Sequence, residues 1–238
     1  MVKHVFDAIA GFYENVEFRI KVSLVELYME KLRDLLDFNK QDLKIRSDKK
    51  RGIFIEDLTE NYISSPEEVY KLIDQARQNR AIAATNMNER SSRSHMIFIL
   101  SISQNNTVDL TAKTGKLYLV DLAGSEKISK TGAEGKTLDE AKKINASLTT
   151  LGKVINALTD GKSTHIPYRD SKLTRVLQES LGGNSKTTLI VTCSPHPNNL
   201  AETISTLRFG ISAKKIKNTP KINKELTVAE LQALLDKS

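Results

Sequence analysis

The chain has 238 residues, 39% apolar and 27% charged, with only 11 Gly and 5 Pro. That mix excludes collagen-like and low-complexity classes and fits one large folded domain or two small ones. Lys and Arg number 36 against 29 Asp and Glu, a formal charge of +7, which suits an acidic partner: nucleic acid, an anionic membrane, an acidic protein polymer, or only a solvated surface.

No apolar run approaches the roughly 18 residues of a membrane span, so no direct membrane insertion is expected. Asp7 interrupts the N-terminal apolar stretch, which argues against a signal peptide. Phe18–Tyr28 alternates and is rich in β-branched residues, the pattern of a strand. Asp42–Arg46 and Ile53–Ile55 flank a polar turn and predict a hairpin. Ser65, Pro66 and Glu68 have the spacing of a capping box with Pro at the first helical position, opening a helix to about Arg80. Met96–Ser103 and Lys116–Val120 read as buried strands.

A long helix is expected next, capped by Thr137 and Glu140 and stopped at Gly161. Its apolar stripe runs through Leu138, Ala141, Ile144, Leu148, Leu151, Ile155 and Leu158. A further helix is predicted over Asp170–Leu181, halted by Gly182-Gly183. Thr187–Cys193 reads as a buried strand, and Asn199 with Glu202 as the cap of another helix. From Thr203 to Lys224 there are six basic residues and no acid, and Pro220 blocks a regular helix. Val228, Leu231 and Leu235 then begin an amphipathic helix too short to establish a coiled coil. Strands alternating with helices predict a layered α/β fold.

Two segments carry candidate chemistry. Asp121-Leu-Ala-Gly-Ser-Glu126 follows an apolar strand. An Asp there can reach Mg²⁺, and the Gly124 N–H can approach a phosphate because no Cβ intervenes. Taken alone, the segment is also ordinary turn chemistry. Asn88-Glu-Arg-Ser-Ser-Arg-Ser-His95 offers the hydroxyls of Ser91 and Ser92 for a phosphate or a metal-bound water, and Arg93 for a carboxylate. Taken alone, it is a Ser-rich loop. A nucleotide site of this kind also calls for G-x-x-x-x-G-K-[ST]. Gly135-Lys136-Thr137 and Gly161-Lys162-Ser163 have the right ending, but Lys130 and Asn156 stand where the first glycine belongs. The chain therefore contains no P-loop. His4, His95, His165 and His196 show no ligand spacing and read as loop or structural histidines. Cys193 is the only cysteine, so an internal disulfide and a multi-cysteine metal site are excluded and a reducing compartment suits the chain.

Asn88–His95 and Asp121–Glu126 together resemble switch I and switch II of the kinesin motor domain. The likeness continues through His165–Ile190, Ala201–Asn218 and Lys21–Leu36, and is nearest to conventional, fungal-like kinesin heavy chains. Ser212 departs from the usual Arg. The resemblance implies a P-loop-NTPase-like α/β fold, a central sheet flanked by helices, with the N-terminal portion that bears the P-loop missing. It implies a partial motor domain over 1–213, a neck linker over 214–225 and the start of a neck helix over 226–238. It implies that Asn88 and Ser92 close on the γ-phosphate, that Ser91 and Asp121 hold Mg²⁺ through water, and that Gly124 donates to the γ-phosphate. Arg93 and Glu126 are implied to form the salt bridge that closes the pocket. Lys31, Arg51, Lys127, Lys130, Lys142, Arg169, Lys172 and Arg175 are implied to face tubulin.

The implied function is an ATP- and Mg²⁺-dependent, plus-end-directed microtubule motor of the cytoplasm, with a homodimer formed beyond this chain. Without a P-loop, the chain alone is expected to lack ATPase activity. The alternative is a non-catalytic microtubule-binding or regulatory protein. Absence of Trp and a low aromatic content speak against nucleic acid as partner.

Overall fold

The computed structural model describes residues 1–12, 15–48, 52–84, 93–125 and 136–225, and of 82–84, 136–144 and 225 only the backbone. In chain order the elements are α1 (Val2–Ala10), β1 (Val16–Tyr28), β2 (Lys31–Asp34), β3 (Ile45–Asp48), β4 (Gly52–Ile55), β5 (Asn61–Ile63) and α2 (Pro66–Ala84). They continue with β6 (His95–Asn106), β7 (Ala112–Asp121), α3 (Lys136–Thr159), α4 (Lys172–Val176), α5 (Leu200–Ala213) and β8 (Asn223–Glu225).

The main sheet runs β2-β1-β6-β7-β8, with β5 also paired to β1. Among the described residues every pairing in it is antiparallel. Its spine is the long β1–β6 ladder, in register from Val16 opposite Asn106 to Leu27 opposite His95. Alternation along these strands gives the sheet two apolar faces. Ile20, Val22, Leu24, Phe98 and Leu100 form one core with Val2 of α1 and Val69 and Ala76 of α2. Val25, Leu27, Ile97 and Ile99 form the other with Leu151, Val154 and Ile155 of α3 and Leu173 and Val176 of α4. The result is the expected α/β layering, helices on both sides of a sheet.

The strands expected at 18–28, 96–103 and 116–120 are present and longer than read. The hairpin forms with Ile45 opposite Ile55, but residues 42–44 stay outside it. In α2 the Ser65 hydroxyl accepts the Glu68 N–H at 3.3 Å, as a cap should. The Glu68 carboxylate reaches one residue further back than expected, taking the Ser64 N–H and hydroxyl at 2.7 and 3.1 Å. Helix α3 begins at Lys136, one residue before the expected cap Thr137. It ends before Gly161, whose φ of +67° is the left-handed geometry of a helix stop. Asn199 precedes α5 as expected, yet its side chain makes no cap and donates instead to the Ser194 hydroxyl.

Two expectations fail. Asp170–Leu181 is not one helix but a short 3-10 turn over Tyr168–Asp170, the single-turn α4, and a second 3-10 turn over Gln178–Ser180. Ser171 breaks it: the residue is extended, and its hydroxyl caps α4 by accepting the Leu173 N–H. Thr187–Cys193 forms no strand and lies exposed, with Ile190 82% accessible. Its composition favours a strand, but a strand exists only as part of a ladder, and among the described residues it has no partner. Helix α1 went unforeseen. Val2, Val5, Phe6 and Ile9 make a helical stripe against the α2 side of the sheet, and Asp7 lies off that stripe.

Asp34, wholly buried at the end of β2, anchors two loops. Its carboxylate accepts the Leu36 and Asp37 N–H groups at 2.8 and 3.2 Å and the Thr59 N–H at 2.7 Å. Asp34→Asn places an amide donor against one of these N–H groups. The expected cost is about 2 kcal/mol, read as a lower urea midpoint with unchanged slope. An unchanged midpoint would show that the loops stand without this anchor.

Candidate functional site

The start of β6 and the end of β7 lie side by side, Met96 opposite Asp121. This register brings residues 93–95 together with 121–125 at one end of the sheet. Asp121 is exposed there, Gly124 half-buried, and Arg93 half-buried just ahead of β6. An open hollow of about 310 Å³ lined by Met96, Phe98, Leu119, Val120 and Asp121 adjoins them.

Beneath this rim lies a buried polar layer. On the α2 side, the Ser94 hydroxyl donates to Glu26 Oε1 at 2.7 Å. Arg80 of α2 donates to the Ser94 carbonyl at 3.2 Å and hydroxyl at 2.9 Å, and its Nε lies 3.4 Å from Glu26. On the α3 side, His95 Nδ1 accepts the Ala123 N–H at 2.9 Å, and Nε2 lies 2.8 Å from Ser147 Oγ of α3. His95 is 2% exposed. Burial, helped by the nearby Arg80 charge, pushes its pKa down to about 4, so the ring is neutral at pH 7.

Of the residues expected to handle nucleotide, the structure brings Arg93, Asp121 and Gly124 to this one end. Asn88, Ser91, Ser92 and Glu126 lie outside the described residues, as do Arg51, Lys127 and Lys130. Lys142 falls on α3, its side chain not described. The remaining basic candidates belong to a second region, where α4 packs under the β3–β4 hairpin through Leu173, Val176, Ile45 and Ile55. Lys31 and Arg169 are exposed there, and Arg175 is half-buried. Lys172 is engaged: its ammonium donates to Asp42 at 2.9 Å and to the Leu43 carbonyl at 3.3 Å. That hydrogen bond and charge hold the Asp42 carboxyl below the usual range.

The Glu30 carboxylate joins this region to the sheet. It accepts the Ser171 hydroxyl at 2.7 Å and the Lys172 N–H at 2.6 Å. Sequence reasoning missed Glu26, Glu30, Arg80 and the role of His95. The available signal was a carboxylate at position 26 between the apolar Leu24, Val25 and Leu27 of a strand.

Fold and site together define a three-layer α/β domain with a polar, partly open site at one end of its sheet and a basic region beneath a hairpin. The profile of the kinesin motor domain matches residues 1–216, and the chain belongs to the kinesin motor family. It is 63% identical over 238 residues to kinesin-related protein 3 of Dictyostelium discoideum and 60% identical over 237 residues to the kinesin heavy chain of Syncephalastrum racemosum. The alignments take in all of this chain but 20% and 25% of those proteins. The chain thus spans a quarter or less of these relatives' length. A solved structure described as a fast kinesin superposes with a TM-score of 0.88 at 57% identity, covering 97% of this chain and 65% of that one.

Proposed function

We propose that this chain is the switch-bearing and track-binding part of a motor that hydrolyses ATP to move along microtubules, toward the plus end. The observation that carries the reading is the convergence of Arg93, Asp121 and Gly124 at one end of a kinesin-type sheet. Among the described residues no group of three or more His, Cys, Asp or Glu could hold a metal. Mg²⁺ keeps most of its water and is held by a carboxylate or two plus substrate phosphates. Asp121 and Ser91 are the residues for that role. When bound, Mg²⁺-ATP supplies the phosphoryl group. The chain's own part is to position it: Gly124 offers its N–H, Asn88 and Ser92 orient water, and Arg93 with Glu126 closes the pocket.

Residues 214–225 act as the neck linker. In support, β8 lies along the sheet, Glu225 opposite Ala112, and the Asn218 side chain donates to the Ser180 and Ser185 carbonyls. Residues 226–238 start a neck helix through which two copies pair. The motor works in the cytoplasm, on microtubules.

Because no P-loop occurs in these 238 residues, the chain alone does not hydrolyse ATP. Exposed Leu189, Ile190 and Val191, with Leu200, Ile204, Leu207 and Ile211 on α5, support the packing of further sheet against this side. The test is co-sedimentation of the chain with microtubules, alongside its ATPase rate. The chain is expected to pellet with microtubules and not with nucleic acid. Lys31→Glu with Arg169→Glu should weaken binding about tenfold at low salt and flatten its salt dependence. Equal pelleting by wild type and variant would remove this face from the interface. Microtubule-stimulated hydrolysis by the 238-residue chain would overturn the need for a P-loop.

A further inference from the structure

His95 sits in a layer that the expected nucleotide chemistry does not use. Its ring has two polar atoms, and each meets a different element. Nδ1 accepts the N–H of Ala123, the residue before Gly124. Nε2 meets Ser147 Oγ on α3. All three residues are at most 5% exposed, so water does not substitute for either contact. A backbone N–H can only donate, so Nδ1 carries no proton. The ring hydrogen is therefore on Nε2 and is donated to Ser147. The strand that carries His95 is fixed by the longest ladder among the described residues, with Leu27 opposite. A rigid planar ring on a rigid strand thus holds both a loop and a helix at hydrogen-bond distance.

We propose that His95 is a positioning residue: its imidazole ties the loop after β7 to helix α3, so that a shift of either is carried to the other. This rests on the reading of that loop as the phosphate-sensing segment and of α3 as the helix that meets the track. The tie lies inside the protein and needs neither nucleotide nor microtubule to exist. Arg93 and Glu126 are expected to close the pocket from the rim, whereas His95 acts beneath it, through the backbone.

The two nitrogens can be separated by substitution. In His95→Asn, Oδ1 stands near the position of Nδ1 and can accept the Ala123 N–H, but nothing reaches Ser147. In His95→Gln, the amide reaches toward Ser147 and leaves Ala123 without its acceptor. Hydrogen exchange at the Ala123 amide, in the natural protein at its native length, is expected to stay within about twofold of wild type in His95→Asn. It should quicken about tenfold in His95→Gln, the loss of one buried hydrogen bond. A merely space-filling histidine would make the two variants behave alike, and that result would overturn the proposal.

Should either variant fail to fold, the wild-type ring decides. Imidazole ¹⁵N shifts must show the Nε2–H tautomer, and an Nδ1–H ring would overturn the tie. Ser147→Ala tests the coupling. Microtubules should alter exchange of residues 122–125 in wild type and leave it unaltered in Ser147→Ala. Equal responses, or none in a wild type that does pellet, would overturn it. If wild type does not pellet, the proposed function fails, and the tie is judged on the Asn and Gln variants and the tautomer alone.

Discussion

Glu26→Ala is expected to cost the fold about 3–5 kcal/mol, the figure for breaking a buried ion pair from one side. Glu26 is fully buried near the site end of β1, and its carboxylate faces Arg80 and the Ser94 hydroxyl. Removing it leaves the Arg80 guanidinium, whose side chain is only 13% exposed, without that compensation. Arg80→Ala should be destabilising for the converse reason, because it removes the guanidinium beside the buried Glu26 carboxylate. The double variant should then be less damaging than the sum of the two, by more than about 1 kcal/mol. Urea unfolding of the four proteins measures this. Additive losses would mean that the two side chains act independently. Replacing both with apolar residues of similar volume should recover much of the loss, because the pair itself is worth little beyond its desolvation.

Acid should destabilise the protein once pH falls below about 6.5. His95 is held neutral, its pKa at about 4 against the ordinary 6.5. In the unfolded chain this histidine takes a proton as pH falls through about 6.5, while in the fold it refuses one until about 4. Between those values the unfolded state binds more protons, so stability falls as pH falls. The contribution is fully present above pH 6.5 and lost by pH 4, roughly 3 kcal/mol across the window. Urea midpoints at pH 7.5, 6 and 5 should therefore decline in wild type and decline much less in His95→Asn. Parallel pH profiles for the two proteins would assign the acid sensitivity to other groups. The carboxylates of Asp42, Glu68, Asp109 and Asp160, whose pKa values are lowered by their hydrogen bonds and charges, respond only at lower pH.

What the sequence disclosed was local. β1 and β6 were legible because β-branched residues alternate or run together. Helix α2 was legible because Ser65, Pro66 and Glu68 announce its start, and the middle of α3 because Leu148, Leu151, Ile155 and Leu158 repeat at helical spacing. The short strands β2, β5 and β8 have three or four residues each, too few to show a period. Thr187–Cys193 was misread because strand composition does not reveal whether a neighbour exists to pair with.

The site divides the same way. Asp121 and Gly124 belong to one short motif and could be singled out from it. His95 could not, because its partners lie 28 and 52 residues away. Glu26 and Ser94 are 68 residues apart, and no spacing rule spans such gaps. Packing alone brings them together.

The turn between β1 and β2 holds two consecutive non-glycine residues at positive φ, Met29 at 50° and Glu30 at 61°. Side chains normally avoid that region, so the turn gives up some stability. Glycine at position 30 would relieve the backbone but delete the carboxylate that holds Ser171 and Lys172. The turn therefore does more than reverse the chain. If β1 and β2 paired one residue out of step, every side chain would change face, and Glu30 would swing away from α4. Correct pairing and a seated α4 are then a single event, and a mispaired hairpin forfeits the capping of a segment 141 residues later. In a folding chain this amounts to proofreading: the sheet's register is checked by whether a distant helix can be closed upon it.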